Sequence, residues 1–237
     1  VATILLLVFI MTYASIIAQE IASEKGTRIM EVILSSTKAQ THYYGKLAGV
    51  LLVALTQLVI YALMAVFGWQ KFKDMEVVQQ FIGNVSVEEL FGPFLIFTVI
   101  FVLLGILIYS VLAALCGSLV NKAEDTAKAI VPVTYLSMAG YFVAYLLGLM
   151  DPHSAVLKVT SYIPFFSSFS MPVRLASDTA TVGNAVVSVI ILAIVTLFMM
   201  LVSAGLYKSN VLVYNDNGFI ASLKQSIVLL KNNHKKA

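Results

Sequence analysis

The sequence is poor in charged residues and in cysteine. Only 11% of its 237 residues are charged, whereas 60% are hydrophobic, and this balance excludes an ordinary soluble domain. The single cysteine, Cys116, excludes an intrachain disulfide and a metal site built from several cysteines. We therefore expect an integral membrane protein.

The sequence also lacks the motifs of the common catalytic and nucleotide-binding sites. It contains no G-x-x-x-x-G-K-[ST], no H-E-x-x-H and no G-x-S-x-G. Ser35 and Lys38 have the S-x-x-K spacing of serine acyl-enzymes, but the companion motifs are missing. An intramembrane enzyme is therefore disfavoured, and we predict that the chain is not an enzyme, with no catalytic, cofactor-binding or metal-binding residues.

Long apolar runs are what the sequence has in abundance. About 20 apolar residues in a helix cross a bilayer core of about 30 Å, and five runs are long enough. They cover residues 1–18, 47–67, 93–120, 129–150 and 182–206, and none contains a charged residue. We predict an all-α fold, a polytopic membrane helix bundle whose transmembrane domain covers residues 1–206.

Lysine and arginine are distributed unevenly between the apolar runs. The segments 19–46, 121–128 and 207–237 hold 11 of them, against four in the segments 68–92 and 151–181. By the positive-inside tendency, the first three segments and the carboxyl terminus are cytoplasmic. The net charge of +3 reflects this bias and gives no argument for a nucleic-acid partner.

A charged segment, residues 24–36, separates the first two apolar runs and has the pattern of an amphipathic helix. Glu24 and Glu31 lie four and three residues from Arg28, so both carboxylates are spaced to reach its guanidinium. The polar side of the helix holds Arg28, Glu31 and Ser35. The apolar side holds Ile29, Met30, Ile33 and Leu34.

The segment 162–172 is apolar and aromatic, but it is too short and too interrupted by proline to cross a membrane. We predict a pair of short re-entrant helices that dip into the outer membrane face. The alternative is a hydrophobic surface loop with aromatic anchors. The residues of this segment that we single out are Pro164, Phe165, Phe166, Met171 and Pro172.

Two further patterns concern helix packing and the tail. Gly45 and Gly49 form a small-xxx-small pair that would let two helices approach closely, although the pattern is common by chance in membrane helices. In the tail, residues 207–237, apolar side chains recur at spacings of three and four. They predict an amphipathic helix on the cytoplasmic leaflet, with a solvated tail as the alternative. These tail residues are Ile220, Leu223, Ile227 and Leu230.

Several stretches together resemble a known family. Glu24-Lys25, Arg28, Glu31-Val32 and Leu34-Ser35-Ser36, followed by Gly45-Lys46-Leu47, resemble the cytoplasmic loop of NatB-like permeases of the ABC transporter type-2 exporter class. The stretches 124–127, 162–167, 171–174 and 211–214 agree with the same family. Ala39 departs from it, since relatives carry proline there. Relatives also have a first span and an extracellular domain before the position of Val1, and we expect an N-terminally truncated chain.

The resemblance implies a permease subunit in a cell membrane, that of a bacterium. Two permeases would pair, as a homodimer or a heterodimer, above two ATP-binding-cassette subunits that hold the ATP and Mg²⁺. The loop helix would couple ATP hydrolysis to export. Its docking residues would be Glu24, Lys25, Arg28, Glu31 and Ser35. Ile29, Met30, Ile33 and Leu34 would seat the helix against its own spans.

Other interpretations of the charged segment and of the cargo stay open. The segment would also suit a membrane scaffold or sensor subunit that recruits a cytoplasmic protein without moving a substrate, or a plain interfacial helix. The uncharged spans favour a hydrophobic or amphipathic cargo, whereas the resemblance equally suggests sodium ions.

Overall fold

The computed structural model describes residues 2–72 and 92–211, and the regular structure in these ranges is helical. The helices are α1 (Ala2–Gly26), α2 (Ile29–Ser36), α3 (Ala39–Phe72), α4 (Pro93–Ser118), α5 (Thr126–Ala129), α6 (Val131–Met150), α7 (Ala155–Thr160), α8 (Pro164–Ala176) and α9 (Val182–Asn210). A single 3₁₀ turn, Ala123–Asp125, precedes α5. The predicted amphipathic helix of the tail and most of the first long loop lie outside the described residues.

Five helices in the described ranges, α1, α3, α4, α6 and α9, are long and apolar enough to cross a membrane. The predicted polytopic helix bundle is therefore confirmed. Three of these helices run further than the apolar runs, since α1 continues to Gly26, α3 begins at Ala39 and α9 ends at Asn210. The extensions carry charged and polar side chains that bond to one another, so the helical backbone does not stop where the apolar run stops.

The centre of the bundle is the contact between α1 and α4. Ile10, Ile17 and Ile21 of α1 are almost fully buried, as is Phe101 of α4. Near the end of α4 the two backbones touch, because a Cβ added to Gly117 would lie only 2.6 Å from the carbonyl oxygen of Ala18. This glycine lets the two helices approach closely without a side chain between them.

The segment 162–172, predicted to form a pair of short helices, lies mainly in the single helix α8, and the other short helix, α7, ends before it at Thr160. Pro164 occupies the first turn of α8, where its missing N–H breaks no helical hydrogen bond. Met171 and Pro172 are buried, whereas Phe165 is partly buried and stacks edge-on against Tyr109 of α4 at 5.3 Å. Phe166 is also partly buried. A covered helix, rather than a hydrophobic surface loop, therefore follows Ile163.

The α8 helix packs against α4, α6 and α9. The Phe169 ring lies over Gly140 of α6, where an added Cβ would be 2.8 Å from a ring carbon. Arg174 is 3% exposed and donates to the Ser161 hydroxyl oxygen at 2.7 Å and to the Thr179 carbonyl oxygen at 2.8 Å. The α7–α8 hairpin thus closes the end of the bundle opposite to α2.

Replacing Gly117 by valine should destabilise the bundle, because its methyl groups would force α1 away from α4. Overpacking of this kind costs about 1 to 3 kcal/mol. Thermal unfolding of the detergent-purified chain should show a lower midpoint for Gly117→Val. Gly68→Val is the matched control, since a Cβ at Gly68 meets nothing within 4 Å. Equal midpoints for the two variants would contradict the close contact.

Candidate functional site

The ends of three spanning helices meet beside α2. Lys25, in the last turn of α1, donates through Nζ to the Ser118 carbonyl oxygen of α4 and to the Asn210 carbonyl oxygen of α9, both at 2.9 Å. The Asn210 side chain also donates to the Ser118 hydroxyl at 3.0 Å. The three segments richest in lysine and arginine therefore begin at the same end of the bundle.

The Lys25 side chain is only 1% exposed, so its predicted place in an exposed docking surface is wrong. The last carbonyl groups of a helix have no partner within that helix, and a cation near them is favoured. Lys25 supplies hydrogen bonds to two such helix ends at once. Its role in this structure is to hold the helices together.

A sharp turn separates α1 from α2. Arg28 is the residue before α2 and has a left-handed backbone conformation, with φ of 61°. Glu24 therefore belongs to α1 and Glu31 to α2, so the helical spacing that would bring Glu24 to Arg28 does not exist. In the part of the chain that the structure describes, the ion pairs of Glu24 involve α3 instead, and the predicted Glu24–Arg28 pair is wrong.

One apolar side of α2 packs against the bundle, whereas other apolar side chains of α2 are exposed. Met30 is fully buried, Ile33 is partly buried and Leu34 packs against the core. Ile29 is 50% exposed and Val32 is 71% exposed. The prediction that Ile29 lies on the buried side is therefore wrong. A left-handed turn at Arg28 precedes α2. Its first residue, Ile29, lines an open cavity with Glu20 of α1 and Lys46 of α3 and is not packed into the core.

The outer side of α2 therefore mixes apolar and polar groups. Arg28, Glu31 and Ser35 are exposed, as the sequence predicts for the polar side, and Ile29 and Val32 lie among them. The Ser35 hydroxyl donates to the Val32 carbonyl oxygen within the helix at 2.7 Å. We name this surface, made of Arg28, Ile29, Glu31, Val32 and Ser35, the outer face of α2.

An ionic cluster joins α1 to α3. Lys46 Nζ lies 2.8 Å from a Glu20 carboxylate oxygen and 2.7 Å from a Glu24 carboxylate oxygen. His42 Nε2 lies 3.2 Å from the other Glu24 oxygen. Among the described residues, no group of three His, Cys, Asp or Glu side chains is arranged as a metal site requires.

Contacts continue from this cluster to α9 and α2. His42 Nδ1 and the Tyr207 hydroxyl of α9 are hydrogen-bonded at 2.9 Å, and the same hydroxyl lies 3.9 Å from the Met30 sulfur. The Tyr43 ring packs against the Tyr207 ring at 5.2 Å. We call the contacts from Glu20 through Lys46, Glu24, His42 and Tyr207 to Met30 the polar relay.

Four relay residues, Glu20, His42, Lys46 and Tyr207, do not follow from the pattern of the charged segment alone. One signal for three of them is present in the sequence. Glu20 and Glu24 are four residues apart, as are His42 and Lys46, so each pair lies on one side of a helix. Two such pairs at facing helix ends indicate an ionic contact. Nothing local identifies Tyr207 as their neighbour.

Comparisons with known proteins give a consistent picture. Residues 1–204 match the profile of a family described as "ABC-2 family transporter protein". The uncharacterized protein YhaP of Bacillus subtilis (strain 168) is 33% identical over 223 residues, which are 94% of this chain and 53% of the relative. The uncharacterized protein MJ1024 of Methanocaldococcus jannaschii is 26% identical over 213 residues, 90% of this chain and 49% of the relative. The chain spans about half the length of these curated relatives. No solved structure matches it.

Replacing Lys25 by methionine should destabilise the chain, because the Ser118 and Asn210 carbonyl oxygens would lose a donor in a buried place. An unsatisfied buried polar group costs about 1 to 3 kcal/mol. Thermal unfolding in detergent should reveal the loss. Lys158→Met, at an exposed lysine of α7, removes the same charge as a control. If Lys25→Met unfolds no earlier than Lys158→Met, the ammonium does not hold the helix ends.

Proposed function

This chain belongs to the ABC-2 family of transporter proteins, and from that premise we propose that it is the permease part of an ATP-driven exporter. The resemblance predicted from the charged segment is confirmed at the level of the family. In the proposed assembly, a second permease subunit completes the membrane pathway, and two ATP-binding-cassette subunits hold the ATP and Mg²⁺. The α2 end of the bundle faces the cytoplasm of the cell that carries the protein in its plasma membrane.

The outer face of α2 supports a docking role. Val32 and Ile29 are 71% and 50% exposed, and unlike the apolar residues of the spans they lie among charged groups. Apolar side chains ringed by polar ones are typical of protein contact sites. Arg28 adds a residue type that is enriched in the energetic centres of interfaces. We assign this face to the ATP-binding-cassette subunit.

The attachment of α2 supports the coupling role, and it is the observation that carries the proposal. Only Thr27 and Arg28 separate α2 from α1, and only Thr37 and Lys38 separate it from α3. The buried Met30 holds the inner side of α2 against Tyr207 of α9. A push on the outer face therefore displaces two spanning helices directly and a third through the polar relay.

Reversing the charge of Arg28 should weaken the docking of the ATPase subunit. The full chain is coexpressed with an ATP-binding-cassette subunit that copurifies with it, and their affinity is measured in detergent. Because an arginine at the energetic centre of an interface contributes about 2 kcal/mol or more, Arg28→Glu should weaken binding by about thirtyfold or more. Lys158→Glu, at an exposed lysine of α7, is the matched reversal away from the face. Equal affinities of the two variants would refute the docking surface.

Removing the Tyr207 hydroxyl should separate coupling from docking. Tyr207→Phe deletes the group that lies between His42 and Met30, while the outer face stays intact. We expect unchanged affinity for the ATPase subunit and a loss of about twofold to tenfold in its stimulation, consistent with the energy of one hydrogen bond. Tyr135→Phe alters a tyrosine that is 71% exposed and should leave both unchanged. Full stimulation by Tyr207→Phe would exclude the relay from coupling.

Transport itself requires a separate measurement. ATP-dependent accumulation of a cargo in vesicles that hold both subunits would support the exporter. Docking and ATPase stimulation without accumulation of any tested compound would favour a scaffold or sensor subunit.

A further inference from the structure

A groove runs between α1 and α3, next to the polar relay. Its volume is about 480 Å³, which lies within the range of about 300 to 1,000 Å³ that is usual for small-molecule sites. Glu20 and Lys46 line one end, and Ile16, Gly49 and Val53 line its length. A second cavity of about 500 Å³ shares Ile16, Glu20 and Lys46 with it and leads toward α2.

Two polar contacts connect α1 and α3, one at each end of the groove. The Lys46–Glu20 ion pair bridges α1 and α3 at one end, and the Tyr13 hydroxyl donates to the Gln57 side-chain oxygen at the other. Tyr13 and Glu20 are seven residues apart on α1, which is about 10 Å at 1.5 Å per residue. The groove thus has a charged end and an apolar middle of defined length.

The glycine pair that suggested helix packing forms one side of this groove. A Cβ added to Gly45 or to Gly49 would meet nothing within 4 Å, so no helix in the described ranges packs on them. Both positions line the groove, and Val50 and Val53 continue the same wall. The missing side chains leave room there for a ligand.

Two carboxylates, one ammonium and one imidazole meet at the charged end. Glu20, Lys46 and His42 line the groove there, and Glu24 lines the adjoining cavity. Lys46 Nζ lies 2.8 Å from Glu20 and 2.7 Å from Glu24, and His42 lies 3.2 Å from Glu24. The Glu20 side chain is 51% exposed, and Lys46 contacts only its Oε2 oxygen. Within residues 2–72 and 92–211 no group bonds to its Oε1 oxygen, which is therefore available to a donor or a cation that enters from the groove.

We propose that this groove binds an amphipathic cation, with the cationic head at Glu20 and the apolar body along Gly45, Gly49 and Val53. The assignment rests on the proposed exporter function, since it makes the groove the place where cargo enters from the membrane. Glu20 then serves two partners, because it also contacts Lys46. A bound cation competes with Lys46 for Glu20 and alters the polar relay that leads to α2.

Binding is measured on the full chain in phosphatidylcholine nanodiscs, without any ATPase subunit. The probe is rhodamine 6G, an aromatic cation, whose fluorescence anisotropy is corrected with empty nanodiscs. Decyltrimethylammonium should displace it. Tetramethylammonium, which lacks the apolar body, and decyl maltoside, which lacks the charge, should not. Equal displacement by decyl maltoside would show a purely apolar, lipid-facing surface and would overturn the proposal.

Two pairs of variants test the head and the body of the site. Glu20→Gln should weaken rhodamine 6G binding by about tenfold, as expected from loss of one partly exposed charge contact, whereas Asp151→Asn at the opposite end of the bundle should not. Gly49→Leu fills the groove and should abolish binding, whereas Gly68→Leu, at a glycine with equally open space, should not. Size-exclusion profiles verify that each variant is folded.

Unchanged binding by Glu20→Gln or by Gly49→Leu would refute the site. Because no ATPase subunit is present, that result would leave the docking of α2 untouched. Conversely, if Arg28→Glu does not weaken docking but rhodamine 6G still binds, the proposed exporter function is refuted and the proposed cation-binding groove is not.

Discussion

The hydrogen bonds of Lys25 decide how this end of the molecule is built. One buried ammonium donates to the last carbonyl groups of two other spanning helices, and it sits in the last turn of its own helix. Three helix ends with unpaired carbonyls and the same partial negative charge are thereby brought together. Arg28 follows three residues later, so fixing the end of α1 also fixes the position at which α2 begins. The position of the outer face of α2 therefore depends on the hydrogen bonds of Lys25.

The proposed docking surface, the polar relay and the groove follow one another along α1 and just past its end. The outer face of α2, which we assign to the ATPase subunit, lies beyond the last residue of α1. Glu24 faces α3 one turn earlier, and Glu20, one further turn back, borders the groove. Lys46 contacts both carboxylates, so a change at either end has a short path to the other. Conformational coupling over such a distance needs only two alternative arrangements of the same ion pairs.

The sequence predicts the five spans because each apolar run is long enough to cross the bilayer core as a helix. It does not predict where the helices end, because glutamate and lysine favour a helix about as much as leucine does, so the end of an apolar run does not mark the end of a helix. The burial of Lys25 is not predictable from the neighbouring residues, because its acceptors lie 93 and 185 residues away. The orientation of Ile29 depends on a left-handed Arg28, a conformation that a residue other than glycine seldom adopts. Short-range spacing identified the amphipathic helix, and only tertiary contacts fix its rotation.

The buried charges at the two ends of the bundle differ in when the growing chain can satisfy them. Arg174 donates to Ser161 and Thr179, which are 13 and 5 residues away. The hydrogen bonds of Arg174 can therefore form within residues 161–179 alone. Lys25 gains its acceptor on α4 after 93 residues and its acceptor on α9 only after 185 residues. Among the described spans, α1 therefore acquires its final contacts only after α9 has been made.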